Sequence, residues 1–490
     1  LFSCWLFCLT AIAVVCARTA RSETPGLIRF RDAIRESGLT FRHVDGSSGQ
    51  HYLIEAVASG MASLDYDLDG RMDLHFLNGA AIQGTRYPVP PINGTYRNQE
   101  GLHFVDVSRE CGLGDEGFGM GVCVGDVDND GFPDVYLSNF GPNALYHNNG
   151  DGTFSRVTGQ PALSCGDKVG GGVSMLDMDA DGDLDIYAAH YIQFDYDMRP
   201  PSIFRGRVVY GGPVLYPPER DSLLRNNGDG SFDDVSQESG IGQVAEWGMG
   251  TVCLDFDSDG DTDIMVANDS TKNFLWENDG RGHFTDVALA AGVAYDYRGD
   301  PQGSMGVDVA DFNGDLLPDI HQTAFTKQLA TLYENMGSGF FQDSTLRTGA
   351  GTGTFYAVNW GNAFGDFDND GDKDLFIANG HIHDNMDDLD DTVSYKMLNQ
   401  LFENRSARKF VDVSRTCGDG LEIKESSRSI AVEDFDADGH LDIAILNSRA
   451  TPSLLHNQSI DRGNWLFIDL VGTRANRSAA GSRVVIKYGS

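Results

Sequence analysis

The sequence predicts an all-β fold, a β-propeller of seven blades. Three observations carry that expectation. A nine-residue aspartate-rich motif returns seven times, small residues recur at fixed places before it, and a hairpin pattern recurs after it. Internal repeats of this kind decide the architecture before any other reading.

The motif places aspartate at positions 1, 3, 5 and 9 and glycine at 6. The first copy holds Asp65, Asp67, Asp69 and Asp73, and the second Asp126, Asp128, Asp130 and Asp134. The third holds Asp177, Asp179, Asp181 and Asp185, and the fourth Asp255, Asp257, Asp259 and Asp263. The fifth is degenerate, with Asp311, Asn313, Asp315 and Asp319, and with Leu316 at position 6. The sixth holds Asp366, Asp368, Asp370 and Asp374, and the seventh Asp434, Asp436, Asp438 and Asp442. The first aspartates lie 61, 51, 78, 56, 55 and 68 residues apart.

Four carboxylates this close repel one another. Oxygens at alternate positions converge when the chain wraps around a point, and a bound cation turns that repulsion into attraction. Hard oxygen ligands on a tight Asp/Gly loop suit calcium, up to seven ions in all. An EF-hand is excluded, because it needs a glutamate at position 12. Position 12 here is Phe76, Leu137, Ala188, Val266, Gln322, Ile377 and Ile445. A plain Asp-Gly turn explains one copy but not seven.

The strand entering each loop carries glycine five residues before the first aspartate in six copies, and Ser429 in the seventh. Position −7 is also small or polar: Ala58, Gly119, Gly170, Gly248, Ser304, Asn359 and Ser427. Residues two apart in a strand share a face. One face is therefore stripped of bulk, which suits strands crowded around an axis. After position 9 come strand-like runs such as "DVYLSN" and "DLFIAN". Next come "NALYHNNGDGTFSRVT" and its relatives, apolar alternation interrupted by Asn-Gly or Asp-Gly, a hairpin signal. Each repeat thus reads as four antiparallel strands, and seven such units arranged radially make a propeller. The seventh repeat lacks its last strand. "GLTFRHV", residues 38 to 44, is expected to supply it and close the ring.

The rest of the chain bounds the function. Net charge is −37, and the motif positions alone supply 27 aspartates. Seven divalent ions would leave about −23, a surface that repels nucleic acid and anionic membranes. Residues 1 to 16 are apolar and read as a secretory signal cleaved after Ala17, with Cys16 as an alternative lipid-attachment site. No later segment is apolar over the roughly 20 residues needed to span a membrane. The expected organisation is 1–17 signal, 18–37 N-terminal segment, 38–460 propeller and 461–490 a further small domain. The five cysteines beyond the leader are scattered and odd in number, which argues against a disulfide scaffold.

Three insertions fall on the face opposite the loops: 79–93, 190–220 and 380–397. The second is rich in Tyr, Arg and Pro, a composition found at binding surfaces. His381, His383 and Asp384 offer a transition-metal set as an alternative to a solvated loop. Sequons stand at Asn93, Asn268, Asn404, Asn457 and Asn476. No G-x-S-x-G elbow, H-E-x-x-H or phosphate loop is present.

The tandem D-x-D-x-D-G-x-x-D, with N-x-L-y-x-N-x-G-x-G-x-F between copies, resembles the FG-GAP and VCBS repeats of integrin-α-type propellers. "NWLFIDLVGTRANRSAAGSRVVIKYGS", residues 464 to 490, resembles the opening of the ASPIC and UnbV domain, a partial small β domain cut short at Ser490. Together they resemble the cartilage-acidic-protein family of secreted propellers, over residues 38 to 490. The resemblance implies a secreted, periplasmic or cell-surface protein with a binding or adhesion role. The partner would be an extracellular protein or glycan held on the insertion face. The alternative is a calcium-dependent polysaccharide lyase or hydrolase, since propellers host both roles. That reading would need an acid–base pair such as Tyr191, Tyr210 or Arg205 with His381 or His383.

Overall fold

The computed structural model describes residues 28–198, 202–460 and 463–486. The expected signal and Cys16 lie outside them. Seven four-stranded antiparallel sheets form the blades. From the axis outward, blade one is Met61–Leu64, Asp73–Phe76, Gly94–Glu100 and His103–Asp106. Blades two to six repeat the plan, with inner strands Phe118–Gly125, Gly170–Leu176, Gly248–Leu254, Val307–Ala310 and Asn359–Gly365. Blade seven runs Ser427–Glu433, Asp442–Asn447, Ser453–Asn457, and its outer strand comes from the N-terminal side.

That outer strand is Phe30–Asp32, not residues 38 to 44. Phe30 pairs with Asn457 and Asp32 with Leu455. Phe30 is buried, and its ring meets Phe367 edge-on at 5.6 Å. Leu39 and Phe41 are also buried, but as packing between blades seven and one, with Phe76, Phe104 and Phe435. The propeller therefore begins before residue 38, inside the stretch expected to be a separate segment.

The small face of the inner strands has a specific cause. The glycine at position −5 abuts the next blade's carbonyl at its own position −6. A Cβ on Gly121 would sit 2.3 Å from the Gly171 oxygen, and one on Gly306 2.1 Å from the Trp360 oxygen. Crowding comes from neighbouring backbone rather than from the axis itself.

One end of the channel is plugged. The short helix Leu53–Val57 buries all five residues there, packed with Met120, Met305 and Trp360. Arg428, fully buried, stacks on Trp360 at 4.1 Å and donates to the Ser427 oxygen at 3.0 Å. Behind the plug the channel holds a cavity of about 310 Å³, lined mainly by inner-strand backbone. The sequons Asn93, Asn268, Asn404, Asn457 and Asn476 are all buried. Residues 463–486 form no strand; they lie across the loop ends, where Arg477 N–H donates to Asn129 Oδ1 at 2.7 Å.

Candidate metal centres and the insertion face

Each motif occupies the turn from first to second strand, so all seven loops share one end of the ring. Position 1 organises the turn. Asp126 accepts the N–H of Asp130 at 3.0 Å and of Gly131 at 2.7 Å. Asp65, Asp177, Asp366 and Asp434 do the same in their loops. Position 9 is buried. Asp134 accepts Val127 N–H at 3.0 Å and, from the third strand, Asn148 N–H at 2.8 Å. Asp73, Asp185, Asp263, Asp319, Asp374 and Asp442 bind the matching pair of donors.

Position 3 accepts the position 5 N–H in blades two, four and five, and is less satisfied in others. Buried oxygens of Asp67, Asp179 and Asp436 have no hydrogen-bond partner, and neither does Oδ1 of Asp255 at position 1. An unsatisfied buried carboxylate oxygen carries a desolvation cost that a cation would remove. Ligand atoms of Asp65, Asp67 and Asp73 lie within 4.8 Å of one another, as do those of Asp177, Asp179 and Asp185. Burial pushes Asp73, Asp185 and Asp263 up to about 8. The donor set is entirely oxygen in these loops, so the residues fit a hard divalent ion.

The fifth loop closes like the others despite its departures. Asp311 accepts from Asp315 at 3.1 Å and from Leu316 at 2.8 Å. Every loop has positive φ at both positions 4 and 6. In blade two these are Asn129 at 58° and Gly131 at 100°; in blade five they are Gly314 at 75° and Leu316 at 69°. Blade five has its glycine at the other left-handed position, which leaves Leu316 strained.

One residue class escaped the sequence reading. The asparagine that binds position 9 also donates its side-chain amide to the position 2 carbonyl of the preceding blade. Asn148 reaches Tyr66 at 2.9 Å, Asn226 reaches Val127 at 2.7 Å and Asn278 reaches Met178 at 2.9 Å. Asn335, Asn404 and Asn457 continue to Phe256, Phe312 and Phe367. Asn98 closes the circle onto Phe435 at 2.7 Å. The signal was present as the invariant N of the hairpin pattern, which the turn reading absorbed.

The insertions converge over the plug. Asn385 donates to the Val208 carbonyl at 3.0 Å, joining the blade-six insertion to that of blade three. Under this roof lies a cavity of about 100 Å³ between Tyr191, Pro213, Phe325 and Trp360. The tyrosines do not form one acid–base set. Tyr191 donates to Asp269 at 2.6 Å, while Arg205 sits on an exposed hairpin against Asp390 at 3.6 Å. Tyr210 alone meets a histidine, stacking on His383 with centroids 6.1 Å apart. Its hydroxyl bridges Arg449 at 2.9 Å and Glu55 at 3.2 Å. Asp384 is held by Arg449 at 2.7 Å, and His381 Nδ1 accepts the His383 N–H at 3.0 Å. Of the alternative His381, His383 and Asp384 metal set, His381 Nδ1 and Asp384 are thus taken up within the protein, while His383 Nδ1 is buried with no hydrogen-bond partner. Burial drives His381 down to about 3 and His383 to about 4.

The FG-GAP-like repeat model matches residues 65–137, 126–188, 209–266, 255–321 and 366–445. The chain belongs to the FG-GAP-like repeat family. It is similar to cartilage acidic protein 1 of Mus musculus, 27% identical over 400 residues, covering 76% of this chain and 55% of that protein. The Homo sapiens protein of the same name is 27% identical over 393 residues, covering 76% and 54%. The chain therefore spans about half the length of the curated relatives it matches. Among solved structures, an Agrocybe aegerita lectin that recognises non-reducing terminal N-acetylglucosamine superposes with a TM-score of 0.41 and 16% identity, over 72% of this chain and 79% of that one. No helix among the described residues is long and apolar enough to cross a membrane.

Proposed function

We propose that this FG-GAP-like propeller is a secreted, calcium-stabilised binding module for an extracellular protein or glycan, and not an enzyme. The observation that carries the calcium reading is the set of buried, partnerless oxygens on Asp67, Asp179, Asp255 and Asp436. They sit inside loops whose remaining donors are already fixed by backbone, so the loops are arranged for an ion before it arrives. Ion binding would rigidify the loop end while the insertions at the other end present a folded surface. The hairpin Ile203–Phe204 and Arg207–Val208, within the Tyr-rich insertion, leaves Ile203 and Val208 exposed there. Exposed apolar residues beside arginine suit a partner surface.

The test is a glycan and protein array probed with the full chain, with and without chelator. Calcium-dependent capture of an extracellular ligand supports the reading. A panel of acidic polysaccharides, assayed for new unsaturated ends, covers the lyase alternative; turnover there would replace the binding role.

A further inference from the structure

The residue just before each inter-blade asparagine differs in kind around the ring. It is Arg97, His147, Arg225, Glu277, Glu334, Glu403 and His456. In blades one, two, five and seven it reaches position 3 of its own loop. Arg97 Nη1 stands 4.0 Å from Asp67 Oδ2, and Asn313 Nδ2 stands 3.4 Å from Glu334 Oε1. The two histidines go further. His147 Nδ1 lies 3.2 Å from Asp128 Oδ2 and 3.2 Å from Asp134 Oδ1. His456 Nδ1 lies 3.2 Å from Asp442 Oδ1 and 3.7 Å from Asp436 Oδ2. In both trios the ligand atoms all fall within 4.8 Å of one another.

Two separate blades thus build the same constellation: one imidazole nitrogen over the carboxylates of positions 3 and 9. Bonds of about 2.1 Å to a small ion put neighbouring donor atoms about 3.0 to 3.4 Å apart; the 3.2 Å distances of His147 to Asp128 and Asp134 and of His456 to Asp442 fall there, while His456 to Asp436, at 3.7 Å, must shorten by a few tenths of an ångström on binding. In blade seven, Asp436 Oδ1 is one of the buried oxygens without a partner. Calcium takes oxygen ligands, whereas imidazole suits first-row transition ions.

We propose that the loops of blades two and seven are mixed nitrogen–oxygen sites for a transition divalent cation of the zinc or cobalt class. His147 and His456 bind through Nδ1, with Asp128 and Asp134 in one site and Asp436 and Asp442 in the other. The proposal rests on the loops being cation sites, not on the resident ion being calcium. When zinc is scarce the same loops hold calcium through their oxygens.

The experiment titrates the full chain, saturated with calcium, with zinc by calorimetry and with cobalt by visible absorption. Two equivalents should bind, with the absorption of nitrogen-ligated cobalt. His147→Asn should remove one equivalent, His456→Asn the other, and the double variant both. Melting temperature in calcium alone monitors folding of the variants. Should one fail to fold, hyperfine-shifted imidazole resonances of the cobalt-loaded native chain answer instead, and two sets are expected. No uptake against excess calcium, or uptake that survives the double variant, overturns the proposal. It would then leave these histidines as ion-pair partners of the carboxylates. A chain that takes two zinc ions but no calcium overturns only the calcium reading; one that takes calcium but no zinc overturns only this one.

Discussion

Asn148 ties three things at once. Its backbone N–H holds Asp134, and its amide bonds the Tyr66 carbonyl of blade one and, at 3.2 Å, the Pro133 carbonyl of its own loop. Asn148→Ala strips one buried and one half-buried carbonyl of a donor. That should cost about 2 to 3 kcal/mol in urea unfolding at saturating calcium. Asn149→Ala next door, exposed, should cost little. Equal losses would mean that the ring of amides carries no stability. At Leu316, φ of 69° is unfavourable for a branched side chain. Leu316→Gly should gain about 1 kcal/mol of stability in thermal melts. The fifth loop still lacks one carboxylate at Asn313. Asp366→Ala should therefore cost more stability in calcium than Asp311→Ala, because ligand charge tunes affinity. A larger loss at Asp311 would show that the motif does not report affinity.

Ring closure belongs to the strand Phe30–Asp32. Phe30→Ala should lower stability by about 3 to 4 kcal/mol, the scale for a buried aromatic. Thr40→Ala, within residues 38 to 44, should change it far less. The repeat itself carried the right answer. "FRDAIRESG", residues 30 to 38, matches "FVDVSRECG", residues 104 to 112, at the phenylalanine, the aspartate, the Arg-Glu pair and the glycine. The likeness of "GLTFRHV" to the glycine–phenylalanine strand that ends the other hairpins pointed to 38 to 44 instead, but Leu39 and Phe41 are buried for a different reason, inter-blade packing. The blades were legible because each repeats the same period and turn residues. The loop turns were legible because aspartate and glycine recur at the same positions in each copy, and every copy falls between the first and second strands of its blade. The inter-blade amides were not, since an asparagine near an Asn-Gly turn reads as turn chemistry. The plug helix Leu53–Val57 was also hidden: five residues are too few for a helical period, and all five are buried in the channel mouth.

The ring as a whole couples its charge to pH. Burial raises the position 9 carboxyls, Asp73 and Asp185 to about 8, Asp319 to about 7 and Asp442 to about 6. A carboxyl raised in the fold stabilises the ion-free chain below its unfolded value and gives that up as pH rises through the folded value. On the proposed calcium reading an incoming ion would have to displace those protons, so affinity should rise over the same window. Calorimetry should find binding about tenfold or more weaker at pH 6 than at pH 8. A pH-independent affinity would mean that burial does not govern these carboxyls.

The central claim is that seven similar loops each hold an ion, and calcium content tests it most directly. Elemental analysis of the full chain, dialysed into zinc-free buffer saturated with calcium, should find a number approaching seven per chain and no fewer than about five. Two or fewer would contradict the account.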